Sequence, residues 1–429
     1  MPAQPTTGQP TTGQHRTASG VSVRAADAWV SALSNLVAVR SPLSGQLAER
    51  LTIRQDLSRA QRVRLDRLVP WARQLAEPAP VPRLRSGEIP FAVLGYRTPD
   101  YEAASRNIGD WVQTIAMMSH VIRRPDVRFT GDDEVAGLFN RLRSRMPAGS
   151  RIDGPSGTLR LVEVNRDASW YDSLPEPTWA FVFGWYFKLP FGRHPEFWLN
   201  PRIIPIFLSF HISRGDQLSD KAYDYLREHA PIGCRDWPTV RILRGRGIPA
   251  YFSGCVTTTI GSLFPPVHPD RTKPVAYVDV EPPQDAAGVV ALRSLDNALR
   301  ELPLAESLGR AVRRQYAYRS RYSRIVTSRL HTLLPALSCG LSVDWRPRDP
   351  NDRRFEGLAG PTAEPMDEMA ARVSGIARVV LDAILTGRSK SEVYARYRDE
   401  VAEEVAVAEL RLSAEEQSRQ PFGRPAAGL

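Results

Sequence analysis

The sequence predicts an α/β protein with two Rossmann-like halves, an N-terminal helical extension and C-terminal helices. Three observations carry this. Short apolar runs alternate with amphipathic stretches from residue 90 onward, the signature of parallel sheets with crossover helices. That series restarts near residue 270, which argues for a second half. Before residue 80 the apolar residues recur at three- and four-residue spacing instead, as in ADAWVSALSNLVAV and QRVRLDRLVPWARQLA.

The elements follow in order. Residues 1–20 are Pro, Thr, Gly and Gln with PTTGQ occurring twice, and read as a disordered tail. Residues 21–89 are a helical extension ending in the proline-rich linker PAPVPRLRSGEIP. The first half, 90–268, contains the strands FAVLGY (91–96), TLRLVEV (158–164), WAFVFGW (179–185), IIPIFLSFHI (203–212), PIGC (231–234) and IPAYFSG (248–254). Its helices run from about Gly109 to Arg123, over SDKAYDYLREH (219–229), and over DWPTVRILRGRG with glycine at the stop. The second half, 269–390, has strands KPVAYVDV (273–280), YSRIVTSR (322–329) and LSVDW (341–345). Its expected helices are AGVVALRSLDNALREL (287–302), HTLLPALSCG (331–340) and 363–387. A helix over 389–418 fills most of the closing segment, 391–429.

Composition narrows the classes. The chain has 429 residues, 42% of them hydrophobic and 24% charged, enough to bury a core, so whole-chain disorder is excluded. No run of 18 apolar residues suggests a spanning helix, and the start lacks the charged and apolar regions of a secretory signal. Cys234, Cys255 and Cys339 make neither a disulfide framework nor a CxxC pair, so a reduced cytoplasmic protein without a zinc ribbon is expected. The formal charge is +10, from 57 basic and 47 acidic residues, nearly all the bases being arginine. Compositional bias accounts for most of that excess. It permits an anionic substrate, nucleic acid or a membrane surface without choosing among them.

Four segments at expected strand ends carry residue choices that packing alone does not require. In RNIGDWVQT (106–114), Gly109 and Asp110 open a helix where backbone can approach an anion, with Asn107 beside them as a binding candidate. Asp110 there is either the N-cap or a contact to a substrate hydroxyl. His211 ends an apolar strand in LSFHISRGD, as a satisfied buried residue or a proton-exchanging contact. Arg235 and Asp236 lie between PIGC and a helix, as an anion site or as a cap beside a surface arginine. Ser253 and Thr257, in the SGCVTTT run, could line a sugar or phosphate site or make a small-residue turn. In VTSRLHTLLPALSCG (326–340), Ser328, Arg329, Leu330 and His331 stand where a strand turns into a helix, an anion site with a proton carrier beside it. Walker A, GxGxxG, HExxH and GxSxG motifs do not occur.

Together, and in this order, these segments resemble the polysaccharide pyruvyl transferase family. The match runs from FAVLGY near residue 91 to about residue 359, through NIGDWVQ, FGWYF, PIFLSFHI, PIGCRDWPT, YFSGC with TTT, and TSRLHTLLPALSCG with DRRFEGL behind it. Phe183 stands where the family often has Asn, and LSVDW replaces a proline-valine turn. The resemblance implies a glycosyltransferase-B-like pair of domains facing across a cleft. It implies phosphoenolpyruvate as donor substrate, a sugar or lipid-linked glycan as acceptor, a pyruvate ketal as product, and neither metal nor resident cofactor. Under it, His331 and Asp110 are the catalytic candidates. Arg329 and Arg235 hold the donor's two anionic groups, and His211 and Asp236 support the site. Nucleic acid is not expected as a partner, whereas peripheral contact with the inner face of a membrane is compatible with a lipid-linked acceptor. The alternatives are a nucleotide-sugar glycosyltransferase of the same architecture and a non-catalytic glycan-binding relative.

Overall fold

The computed structural model describes residues 17–186, 199–265, 270–285 and 287–419. They form two compact units: the chain up to Ala79 with Pro99–Glu102, and Pro80–Thr98 with everything from Ala103 onward. Most of the expected tail lies outside the described residues. Its last four residues do not, and they are helical.

The first unit contains helices α1 (Thr17–Ala38), α2 (Leu43–Thr52) and α3 (Arg59–Ala76). Ala26, Val30, Leu33 and Val37 make one buried stripe on α1, matched by Leu65, Leu68 and Trp71 on α3. Ser58 and Gln61 form a reciprocal capping box at the start of α3. The Gln61 amide also donates to Asp27 at 2.7 Å.

The second unit holds both sheets. The larger has seven strands: β1 (Glu88–Gly95), β2 (Val127–Gly131), β3 (Gly157–Asn165), β4 (Thr178–Trp185), β5 (Ile203–His211), β6 (Ile232–Cys234) and β7 (Ala250–Phe252). Their order is β2-β3-β1-β4-β5-β6-β7 and every pairing is parallel. The crossover helices are α4 (Ile108–Ile122), α5 (Asp133–Arg145), α6 (Asp220–Glu228) and α7 (Trp237–Arg244). β1, β4 and β5 are buried almost end to end, as strands covered on both faces must be. The chain leaves β1 for one side of the sheet and returns beside it as β4. The carboxyl ends of β1 and β4 therefore flank the topological switch point, where open α/β sheets bind ligands.

The smaller sheet comprises β8 (Val275–Val278), β9 (Val289–Leu292), β10 (Arg324–Thr327) and β11 (Ser342–Trp345), in the order β11-β10-β8-β9, all parallel. Helices α8 (Leu304–Arg321) and α9 (Leu330–Ser338) connect its later strands. The expected helix over 287–302 is not there. Val289–Leu292 pairs residue for residue with Val275–Val278, and a 3-10 turn, Asn297–Arg300, follows, capped by Asp296. The apolar spacing suited a helix. The β-branched pair and the otherwise open edge of β8 favour a strand.

The chain closes with α10 (Met366–Leu385), α11 (Lys390–Glu400) and α12 (Ala402–Arg419), so the single helix expected over 389–418 breaks at Val401. α10 returns to the larger sheet's side of the unit. Gly254, at φ +79, lies so close to Met369 that a Cβ there would be 3.0 Å from the Met369 side chain. Arg241 on α7 binds Glu356 and Glu415 at 2.6–2.8 Å and so ties down α12. Among the described residues, no helix is long and apolar enough to cross a membrane.

Candidate functional site

The carboxyl edge of the smaller sheet builds one wall. After β10, the Thr327 hydroxyl accepts from the Arg329 amide at 3.0 Å and donates to the Val278 carbonyl at 3.1 Å. Ser328 Oγ donates to the Asp279 carbonyl at 3.1 Å, and Arg329 Nε donates to Asp279 Oδ2 at 2.8 Å. Asp279 takes the left-handed conformation at φ +54, a strained geometry for a residue with a Cβ. His331 sits one position into α9 with non-helical angles, φ −81 and ψ 18. Pro335, four residues on, explains the break. It has no N–H to give the His331 carbonyl, and its ring crowds that carbonyl.

The first turn of α4 builds the facing wall. Asn107 is the N-cap, its Oδ1 accepting from the Gly109 amide at 3.1 Å, so the N-cap reading of Asp110 is corrected. Asp110 instead accepts from Ser105 Oγ at 2.5 Å and from Gln113 Nε2 at 3.4 Å. Gly109 is required by proximity: a Cβ there would fall 2.8 Å from His331 Cβ. Beside this turn, the two sheets' loops are stitched by an isolated antiparallel bridge between Asn107 and Leu295. In it, the Ile108 amide donates to the Ser294 carbonyl at 3.0 Å and the Asp296 amide to the Arg106 carbonyl at 2.8 Å.

Behind these, Asp236 caps α7 through the Thr239 amide and is fully buried. It binds His211 Nδ1 at 2.6 Å and Arg235 Nε at 3.3 Å. Arg235 is only 6% exposed, so of the two readings the surface arginine is set aside for a buried guanidinium fixed by its neighbour. Burial works against the Asp236 carboxylate, yet contacts with His211, Arg235 and Thr239 hold its pKa below the ordinary value. Burial, then Arg235, lowers the proton affinity of His211.

A cavity of about 490 Å³ lies between the walls. Asn107, Gly109 and Arg235 reach it from the larger sheet's loops, and Ser328, Arg329, Leu330 and His331 from the smaller sheet's. Asp110, His211 and Asp236 do not line it. Ser253 and Thr257 are also absent from its walls. Ser253 Oγ accepts from the Ser209 amide and donates to the Cys234 carbonyl, both at 3.0 Å, and so supports Ser209 at φ +68. Thr257 Oγ1 contacts Cys255 Sγ at 3.1 Å.

Several lining residues escaped sequence reasoning. Arg348 and Arg354 add two guanidinium groups, and Asp349 and Asp352 two carboxylates. Arg354 is held by Asp352 at 2.5–2.9 Å, whereas Arg348 makes no ion pair with the described residues. The DRRFEGL run was the available signal for Arg354. Ser294 was hidden inside the expected helix. Arg166, gripped by Asp167 at 2.8–3.1 Å and lying 4.7 Å over the Tyr96 ring, adds positive charge nearby.

Of the residues lining the cavity, His331 and Ser294 each carry a solvent-shielded side-chain atom without a hydrogen-bond partner among the described residues: His331 Nε2 and Ser294 Oγ. Burial, then Arg235, His211 and Arg166, pushes the His331 pKa well below the ordinary imidazole value. The ring is therefore neutral at pH 7, and a weaker base than a free imidazole. Among the described residues, no cluster of three His, Cys, Asp or Glu could hold a metal ion. The cavity thus combines anion-binding guanidinium groups with one uncommitted, neutral imidazole. Compared with known proteins, the chain matches no protein-family model, no curated protein and no solved structure.

Proposed function

We propose that the protein is a pyruvyl transferase, moving the pyruvate unit of phosphoenolpyruvate onto two hydroxyls of a sugar in a glycan or its precursor. The observation that carries this reading is the uncommitted Nε2 of His331 in a cavity also lined by Arg235 and Arg329. The donor brings a phosphate and a carboxylate, and planar guanidinium forks suit both. In this reading the two sheets are the two halves of a glycosyltransferase-B-like arrangement, and the cavity is the donor end of its cleft.

The chemistry balances on these groups. Neutral His331 takes the proton of the first sugar hydroxyl as its oxygen bonds to C2, and delivers a proton to the methylene carbon, which becomes the methyl. The C2–O bond to phosphate then breaks, its electron pair leaving with phosphate. The second hydroxyl closes the ketal at C2, and its proton passes to the departing phosphate. The donor's negative charge offsets Arg235 and Arg166, so His331 holds a proton more readily in the complex than in the free protein.

A second reading has one observation in its favour. Asp349 and Asp352 line the cavity, and acidic side chains there could meet ribose hydroxyls of a nucleotide sugar. Calorimetric titration with phosphoenolpyruvate, UDP, GDP and CMP separates the two. Saturable binding of phosphoenolpyruvate alone is the expected result, and binding of a nucleotide in its place would overturn the proposal. His331→Ala should abolish turnover while donor affinity stays within about tenfold. Arg329→Ala should cost about 2–5 kcal/mol of donor binding, as loss of one partner from a charged pair does.

A further inference from the structure

We propose, on the donor reading above, that Ser294 is a further donor-binding residue whose hydroxyl completes, with Arg329, the site for one anionic group. Ser294 is 3% exposed and its Oγ has no hydrogen-bond partner among the described residues, although the residue lines the cavity. A buried hydroxyl left unpaired costs free energy, and folded proteins rarely leave one so. Among the described residues nothing uses it, and the backbone of Ser294 makes the structural bonds. Its amide donates to Asp279 Oδ1 at 3.2 Å, and its carbonyl accepts from the Ile108 amide at 3.0 Å.

The placement is consistent with a designed site. β9, β8 and β10 are neighbours, and the segments leaving their carboxyl ends carry Ser294, Asp279 and Ser328–Arg329 in turn. The Asp279 carboxylate joins them, one oxygen on the Ser294 amide and the other on Arg329 Nε. One carboxylate therefore ties the Ser294 backbone and the Arg329 guanidinium to the same residue. Serine has one side-chain torsion with three staggered wells, so turning Oγ toward an incoming oxyanion needs no backbone movement. The same residue is stitched to the first turn of α4, which sets the donor group against the wall that carries Asn107 and Gly109.

The test is Ser294→Ala, with thermal unfolding of the free protein beside calorimetry with phosphoenolpyruvate, inorganic phosphate and pyruvate. Removing an unpaired hydroxyl should leave the melting temperature of the free protein unchanged or raised. Donor affinity should fall roughly ten- to a hundred-fold, as loss of a hydrogen bond to a charged group does. KM for the donor should rise with little change in kcat at saturation. A loss seen with inorganic phosphate assigns the hydroxyl to the phosphate, and a loss seen with pyruvate assigns it to the carboxylate. Wild-type donor affinity in the variant would overturn the role of Ser294 and leave the transferase reading standing. A lowered melting temperature with unchanged affinity would make Ser294 structural and overturn it too. Failure of the unaltered protein to bind phosphoenolpyruvate would overturn both.

Discussion

Gly109→Ala tests whether the contact between the two walls positions His331. The added methyl would sit 2.8 Å from His331 Cβ, whereas carbon atoms in contact prefer about 3.5–4.0 Å. The two must separate by roughly 1 Å. The neighbour is the first carbon of its side chain, so rotation about χ1 cannot relieve the clash, and Asn107 Oδ1 stands 3.3 Å away on another side. A displacement of about 1 Å at a reacting group can cost around a hundred-fold in rate. Stability changes less. Alanine in place of a helical glycine gains up to about 1 kcal/mol, and overpacking costs about 1–3 kcal/mol. The net loss is about 0–2 kcal/mol, a shift of a few degrees at most. The rate is read as phosphate release from phosphoenolpyruvate in the presence of acceptor glycans. The contact itself is read without activity, by thermal unfolding in a double-mutant cycle with His331→Gly, which removes the carbon the methyl strikes. Gly109→Ala should destabilise the wild-type background and not the His331→Gly background. An equal cost in both would refute the contact argument.

Two further predictions rest on geometry and titration. Gly261→Ala would bring a Cβ to 1.9 Å from the Ser338 carbonyl oxygen, a backbone atom at the end of α9. It should cost roughly 3 kcal/mol and weaken donor binding, since α9 carries His331; calorimetry and thermal unfolding read both. Burial raises the Asp172 carboxyl to about 7, against the hydrogen bonds from Asn165. Its folded pKa lies above its unfolded one, so the stability it contributes is fully present below about pH 4 and lost as pH rises through 7. Asp172→Asn should therefore gain on the wild type as pH rises from 4 to 7, reaching on the order of 1–3 kcal/mol, and a melting-temperature advantage that does not depend on pH would sink the assignment.

What could be read ahead of the structure follows from how local each signal is. NIGDWVQ, GCRD and SRLH each mark a strand giving way to a helix, and their side chains sit where that junction puts them. Asn107, Gly109, Arg235, Arg329 and His331 were therefore legible, along with most of the strands. The strand VVAL was not, because four residues cannot distinguish a helical period from a strand, and the edge of β8 decided it. β2 and α5 were passed over for a similar reason: VRFTG alternates buried and exposed positions over only five residues. Ser294, Arg348 and Arg354 reach the cavity from loops whose course depends on tertiary contacts. Ser253 and Thr257 misled because hydroxyls at a strand end suit a ligand and a tight turn equally. Here the left-handed backbone of Ser209 claims the Ser253 hydroxyl.

The cavity's walls draw on chain from Asn107 to Phe355, and both sheets are wholly parallel, so no strand pairs with its partner through a tight hairpin. Such non-local pairing is slow to form. During synthesis the residues of α4 and Arg235 are made well before those of α9, the face they will oppose. A ligand that touches both walls can accordingly be held only by the assembled fold. On the proposed function, affinity for phosphoenolpyruvate should return on refolding only once both walls have formed, and bound donor should favour the fully assembled state over every partly folded one.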